Sequence, residues 1–303
     1  MAKSSYLLKN IENLGDTYKK LYLSKWDNNR LEADWWYATD FFFDHSFMRG
    51  RVDTVSLEYC KFTKIVLRDL FQINEIPAST SLLKEYSNYF QEYSKLKELK
   101  EGNQNIIGKD RINEFNQRFK KNIVIKTLTT PINRKELRDG RGICLENDKD
   151  LLMVMSYFKH LSSNNIDNIY SDILNKIKQG KIKTAYEELD RIDNIGDKLS
   201  TFIIRDIGLL NQGLIKGNDY QYALPVDTWV QQMHNKLNDQ NMIQGSLTNK
   251  TVGMIRNWII DVSSENKIDA LKFAAGLWIL GYHSFDILLN NFMEKIVLAD
   301  FEL

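Results

Sequence analysis

The stretch that decides the reading is Leu189-Asp190-Arg191-Ile192-Asp193-Asn194-Ile195-Gly196-Asp197-Lys198-Leu199-Ser200-Thr201-Phe202-Ile203-Ile204. Its apolar residues fit two short helices meeting at a tight turn around Asn194 to Gly196. Glycine reaches positive φ without steric cost, and asparagine is among the few other residues that tolerate it, so Gly196 and Asn194 suit such a turn. Ser200 is small enough to let the two helices approach closely. A turn of this kind offers backbone N–H groups, and the partial positive charge of a helix N-terminus, to an anion such as a phosphate.

Outward from this stretch the chain reads as mostly helical. Its 303 residues include only three prolines, and 43% are hydrophobic, enough for a large core and two lobes. Ser56 to Phe71, Ser81 to Leu99, Leu151 to Leu161, Ile166 to Ile177 and Ile182 to Leu189 carry helical patterning. Glu101-Gly102-Asn103-Gln104-Asn105 marks a loop and a candidate boundary. Between 122 and 145, Ile123, Val124, Ile125 and Leu128 precede Pro131 and Gly140-Arg141-Gly142, which predicts one or two short strands or a long irregular crossover. Leu271 to Phe285, apolar with small residues interspersed, predicts a buried helix.

The cluster Trp35, Trp36, Tyr37, Phe41, Phe42, Phe43 and Phe47 reads as hydrophobic core, with a nucleobase-stacking surface as the alternative. Asp40, Asp44 and His45 lie beside it. Carboxylates four apart are commonplace on helices, so no metal is expected there.

Composition narrows the class. The 41 basic and 40 acidic residues leave a net charge of +1, which excludes a strongly basic chromatin-type binder and an acidic disordered chain. Two cysteines, Cys60 and Cys144, exclude a disulfide framework and a four-thiolate metal site, and point to a reducing compartment. Phe273 to Leu280 is far shorter than the roughly 20 residues of a membrane-spanning helix. Met1-Ala2-Lys3-Ser4-Ser5 has no apolar core after it, so no signal peptide is read. From Lys109 to Arg141 ten basic residues face four acidic ones. Lys120, Lys121, Lys126, Arg134, Lys135, Arg138 and Arg141 there fit either phosphate contacts or a solvated surface. From Lys181 to Gln240 the balance is seven basic to nine acidic.

The spacing Leu-x-x-Ile-x-Asn-Ile-Gly-x-Lys-x-Ser resembles the helix-hairpin-helix of DNA glycosylases related to endonuclease III and the 8-oxoguanine glycosylases, usually Leu-Pro-Gly-(Ile/Val)-Gly-x-Lys-(Thr)-Ala. A second block, Pro225-Val226-Asp227-Thr228-Trp229-Val230 with Asn235-Lys236-Leu237, is similar to the family's Val-Asp-Thr-His-Val segment and the Asn-Arg-Leu that follows it. The two blocks span roughly 50 of the 303 residues. The chain departs from the pattern at Asp193, Asn194 and Trp229, and in the 29 residues from Lys198 to Asp227. It has no C-terminal four-cysteine cluster, which excludes the iron–sulfur subgroup. With the long spacer, this favours the 8-oxoguanine branch.

The resemblance implies a fold and an activity. The fold would be all-α, apart from any strands near 122–145, with two helical lobes, a helix-hairpin-helix and the active cleft between the lobes. Residues 1–55 plus 213–303 would form one lobe and 56–212 the other, ending in the hairpin at about 181–210. Lys198 falls on the family's nucleophilic lysine and Asp227 on its catalytic aspartate. A free lysine amine is mostly protonated at neutral pH, with a pKa near 10.4. Desolvation at a helix N-terminus makes the neutral, nucleophilic form accessible. Asp227, after Pro225 and before a helical run, also suits an N-cap, a role compatible with catalysis. Asn194, Ile195, Gly196, Lys120, Lys121, Arg138 and Arg141 would touch DNA, and Trp229, Trp278, His283 and Phe285 would line the base pocket. The expected partner is double-stranded DNA containing a damaged base, bound by a monomer without cofactor, metal or membrane. The expected location is cytoplasmic, at the nucleoid in a prokaryote, or nuclear in a eukaryote. A non-catalytic hairpin module that binds DNA, and a helical interaction protein, stand as the other readings.

Overall fold

The computed structural model describes residues 5–48, 53–73, 81–133, 142–238 and 241–284. In chain order the helices are α1 (Ser5–Tyr18), α2 (Asn28–Ala33), α3 (Trp35–Ser46), α4 (Asp53–Leu70), α5 (Ser81–Glu85), α6 (Ser87–Gln91), α7 (Tyr93–Gly102) and α8 (Gly108–Arg118). Then follow α9 (Ile123–Thr129), α10 (Asp148–Asn164), α11 (Ile169–Lys178), α12 (Ile182–Asp190), α13 (Gly196–Leu210), α14 (Thr228–Leu237), α15 (Asn249–Asn266) and α16 (270–284). A π-helical turn, Lys19–Leu23, continues α1, and a 3-10 turn, Gly217–Tyr222, precedes α14. Among the described residues the only β feature is an isolated antiparallel bridge between Ile132 and Ile143.

Two sequence expectations are corrected here. Ile123 to Leu128 lie in a helix rather than a strand. The Asn122 side chain accepts from the Ile125 N–H at 3.0 Å and caps α9. Burial of Val124, Ile125 and Leu128 then outweighs the weak helix preference of β-branched residues. The segment from Ser81 breaks into α5, α6 and α7. Its buried Phe90, Tyr93 and Leu96 recur every three residues, a spacing that drifts off one face of an ideal α-helix. The breaks at Tyr86 and Glu92 accompany that drift.

The chain divides into two compact units, Trp26–Ile203 and the pair Met1–Lys25 with Ile204–Leu303, the change falling within α13. In the Trp26–Ile203 unit, Asp34 caps α3 by accepting from the Trp36 and Tyr37 N–H groups. The aromatic cluster is mostly core: Trp35, Trp36, Phe41, Phe42, Phe43 and Phe47 are buried, and Tyr37 is half-buried. Phe42 stacks on Tyr157 of α10 at 4.2 Å, and α10 is buried without interruption from Leu151 to Phe158. Asp40 pairs with Arg68 at 2.7 Å and Asp44 with Lys64 at 2.9 Å, while His45 Nδ1 lies 2.7 Å from the Phe41 carbonyl. Among the described residues no group of three or more His, Cys, Asp or Glu is placed to hold a metal.

In the other unit α1 buries Leu8, Ile11, Gly15 and Tyr18, at intervals of three, four and three residues along one face. This face crosses α16 at glycines. A Cβ on Gly276 would lie 1.8 Å from the Ile11 carbonyl oxygen, and one on Gly15 would lie 2.3 Å from that of Lys272. No helix among the described residues is long and apolar enough to cross a membrane.

Candidate functional site

The hairpin lies in the Trp26–Ile203 unit up to the middle of α13. Leu189, Ile192, Ile195 and Leu199 are buried and anchor both helices and the turn between them. Asn194 and Gly196 hold φ of 63° and 60°, the left-handed conformation that the sequence required of them. The Asn194 carboxamide donates to the Lys149 carbonyl at 3.2 Å, tying the turn to the first turn of α10. The Asp193 N–H donates to Ser156 Oγ of α10 and the Ile195 N–H to the Ile192 carbonyl, so one bond ties the turn to α10 and the other closes the turn itself. Ser200 is fully buried, and its hydroxyl donates back to the Gly196 carbonyl.

The two acidic residues of the turn are engaged by tyrosines. Tyr93 donates to Asp193 Oδ2 at 2.5 Å, and Tyr186 donates to Asp197 Oδ1 at 2.9 Å. Burial, and then the hydrogen bond to Asp193, push the Tyr93 phenol well above its ordinary range. Lys198 stands exposed on the first turn of α13. Lys120 and Lys121 are exposed in the turn after α8. Arg138 and Arg141, like Arg134 and Lys135, lie outside the described residues.

Asp227 lies in the other unit, where it caps α14. Its Oδ1 accepts from the backbone N–H groups of Trp229 at 3.0 Å and Val230 at 3.1 Å. Its Oδ2 accepts from the indole N–H of Trp278 at 3.2 Å. Around Trp278 an aromatic wall assembles, half-buried apart from the buried Tyr18. Tyr282 stacks on it at 4.8 Å and 10°, Tyr22 meets it edge-on at 5.6 Å, and Tyr18 does so at 6.0 Å. Trp229 meets Tyr282 edge-on, and His283 Nε2 lies 3.4 Å from the Tyr22 hydroxyl. The close crossing of α1 and α16 at Gly15 and Gly276 brings these rings together. Of the expected pocket residues, Trp229, Trp278 and His283 share this wall, and Phe285 lies outside the described residues.

Beneath the wall is a buried polar group that the sequence reading missed. Arg205 Nε donates to Asp206 Oδ1 at 2.8 Å, Tyr18 donates to Asp206 Oδ2 at 2.7 Å, and the guanidinium lies 4.4 Å from the Tyr18 ring centroid. Burial alone would lower the Arg205 pKa, but Asp206, with smaller help from Tyr18 and Asp227, raises it. Burial raises the Tyr18 phenol well above its ordinary value despite the opposing Arg205 charge. Adjacent Arg-Asp in an otherwise apolar helical run was the available signal. Tyr22 and Tyr282 had none, since only the crossing of distant helices pairs them with Trp278. No protein-family model, curated protein or solved structure matches the chain.

Proposed function

We propose that this protein is a DNA N-glycosylase with abasic-site lyase activity, acting on duplexes that carry an oxidised purine such as 8-oxoguanine. The observation that carries the reading is the α12–α13 hairpin: two left-handed residues, Asn194 and Gly196, followed two positions later by the exposed Lys198. That arrangement suits approach of a backbone phosphate to the turn and of a sugar to the amine. The reading includes the two-lobed glycosylase architecture, with its helix-hairpin-helix and active cleft.

In the proposed reaction the target nucleotide leaves the base stack, because its sugar cannot be attacked while stacked. The neutral Lys198 amine bonds to C1′, and the C1′–N bond breaks with its electron pair leaving on the base, which is then protonated. Opening of the sugar ring gives an iminium. Loss of a C2′ proton then expels the 3′ phosphate and nicks the strand. Asp227 stabilises positive charge developing on the sugar. Contact with DNA would exclude water from around the Lys198 amine and favour its neutral form. The aromatic wall of Trp278, Tyr282 and Tyr22 offers π faces to an extruded base.

The test is borohydride trapping on a panel of lesion-bearing duplexes. A covalent protein–DNA adduct is expected with at least one oxidised purine, and Lys198→Gln should abolish both adduct and nicking. Asp227→Asn should slow base release on the order of 100- to 1,000-fold. Tight, salt-sensitive duplex binding with no adduct from any lesion would replace this reading with a non-catalytic hairpin module.

A further inference from the structure

We propose that Trp278 positions the Asp227 carboxylate, so that the wall which would receive a base also aims the group that stabilises charge on the sugar. The inference rests on the glycosylase reading. The two oxygens of Asp227 do separate work. Capping α14 occupies Oδ1, through the N–H groups of Trp229 and Val230. A cap requires one oxygen, so the indole bond to Oδ2 at 3.2 Å is additional to it. With Oδ1 fixed, that bond sets the plane of the carboxylate. An indole N–H is a donor only, and a bond to an ionised acceptor is roughly twice as strong as a neutral one.

The donor is itself held on several sides. Tyr282 stacks on its face, and Tyr18 and Tyr22 meet it edge-on. Its backbone lies two residues beyond Gly276, where α16 touches the α1 backbone. Rotating the indole would break these contacts together with the bond to Asp227. Trp278 is thus a positioning residue, acting on the sugar through the carboxylate.

Trp278→Phe keeps an aromatic ring and removes the donor. In single-turnover reactions on the lesion duplex that wild type processes best, it should slow base release on the order of 10- to 100-fold. Duplex affinity should stay within about two-fold, because the stacking face remains. Trp278→His, which restores an N–H, should recover part of the rate. A second measurement needs no catalysis. The chain has six tryptophans, and the indole N–H resonance of Trp278 is the one missing from Trp278→Phe. Asp227→Ser keeps a capping oxygen but is too short to reach the ring, so it should move that resonance upfield and leave the indoles of Trp26, Trp35 and Trp36 in place. Equal rates for wild type and Trp278→Phe, or an unmoved resonance in Asp227→Ser, would overturn the inference and spare the glycosylase reading. A wild-type protein that releases no base from any lesion would overturn both.

Discussion

Asn194 shows how far a single residue's reading reaches. The tight turn demanded positive φ at this position, and asparagine meets the demand at 63°. It also adds a side-chain bond to the Lys149 carbonyl that glycine could not make. Asn194→Gly should therefore stay within about 1 kcal/mol of wild type in chemical denaturation. Asn194→Ala, which loses the bond and strains the backbone, should lose about 1–3 kcal/mol. Asp227 was equally legible, since an acidic residue between Pro-Val and a helical run is a cap by local rules. The tyrosine partners of Asp193 and Asp197 were not. Tyr93 lies 100 residues from Asp193, and local sequence carries no record of such a pairing.

Helices were legible where their apolar spacing kept to one face, as in α11 and α12. They were misread where residue type and burial disagreed, as in α9, whose β-branched run suggested a strand until the Asn122 cap and the core decided otherwise. Small residues in α16 were visible as a pattern, but their purpose emerges only with α1 against them. Gly276→Ala would drive a methyl group into the Ile11 carbonyl, and neither backbone can yield without separating the helices. We expect a loss of about 1–3 kcal/mol or more in thermal or denaturant unfolding. Gly253, inside α15, has nothing within 4 Å of a would-be Cβ. Gly253→Ala should instead stabilise by about 0.5–1 kcal/mol, because alanine favours the helix interior. The opposite signs of these two changes are the check.

For the whole molecule, scarce proline and long periodic segments announced the helical class, and near-neutral charge restrained any claim of a broad DNA-binding surface. If Lys120 and Lys121 each hold a phosphate, their joint replacement by glutamate should flatten the log–log salt dependence of duplex affinity by about 2, close to 0.9 per lost contact. An unchanged slope would assign them to ordinary solvated surface. The aromatic wall marks the limit of reading along the chain: Tyr22 and His283 are 261 positions apart and meet only in three dimensions. The same separation governs how the protein is made. Glu12 accepts from the Asp269 backbone N–H, 257 residues later. At about 5–20 residues per second a ribosome needs roughly 13–50 s to travel that distance. For about that long after it emerges, α1 stands without α16, the Ile11 and Gly15 part of its face uncovered. Chaperones that shield nascent apolar segments would find their client there, and a message cut short before α16 would yield a chain in which the contacts of Ile11 and Gly15 with α16 never form.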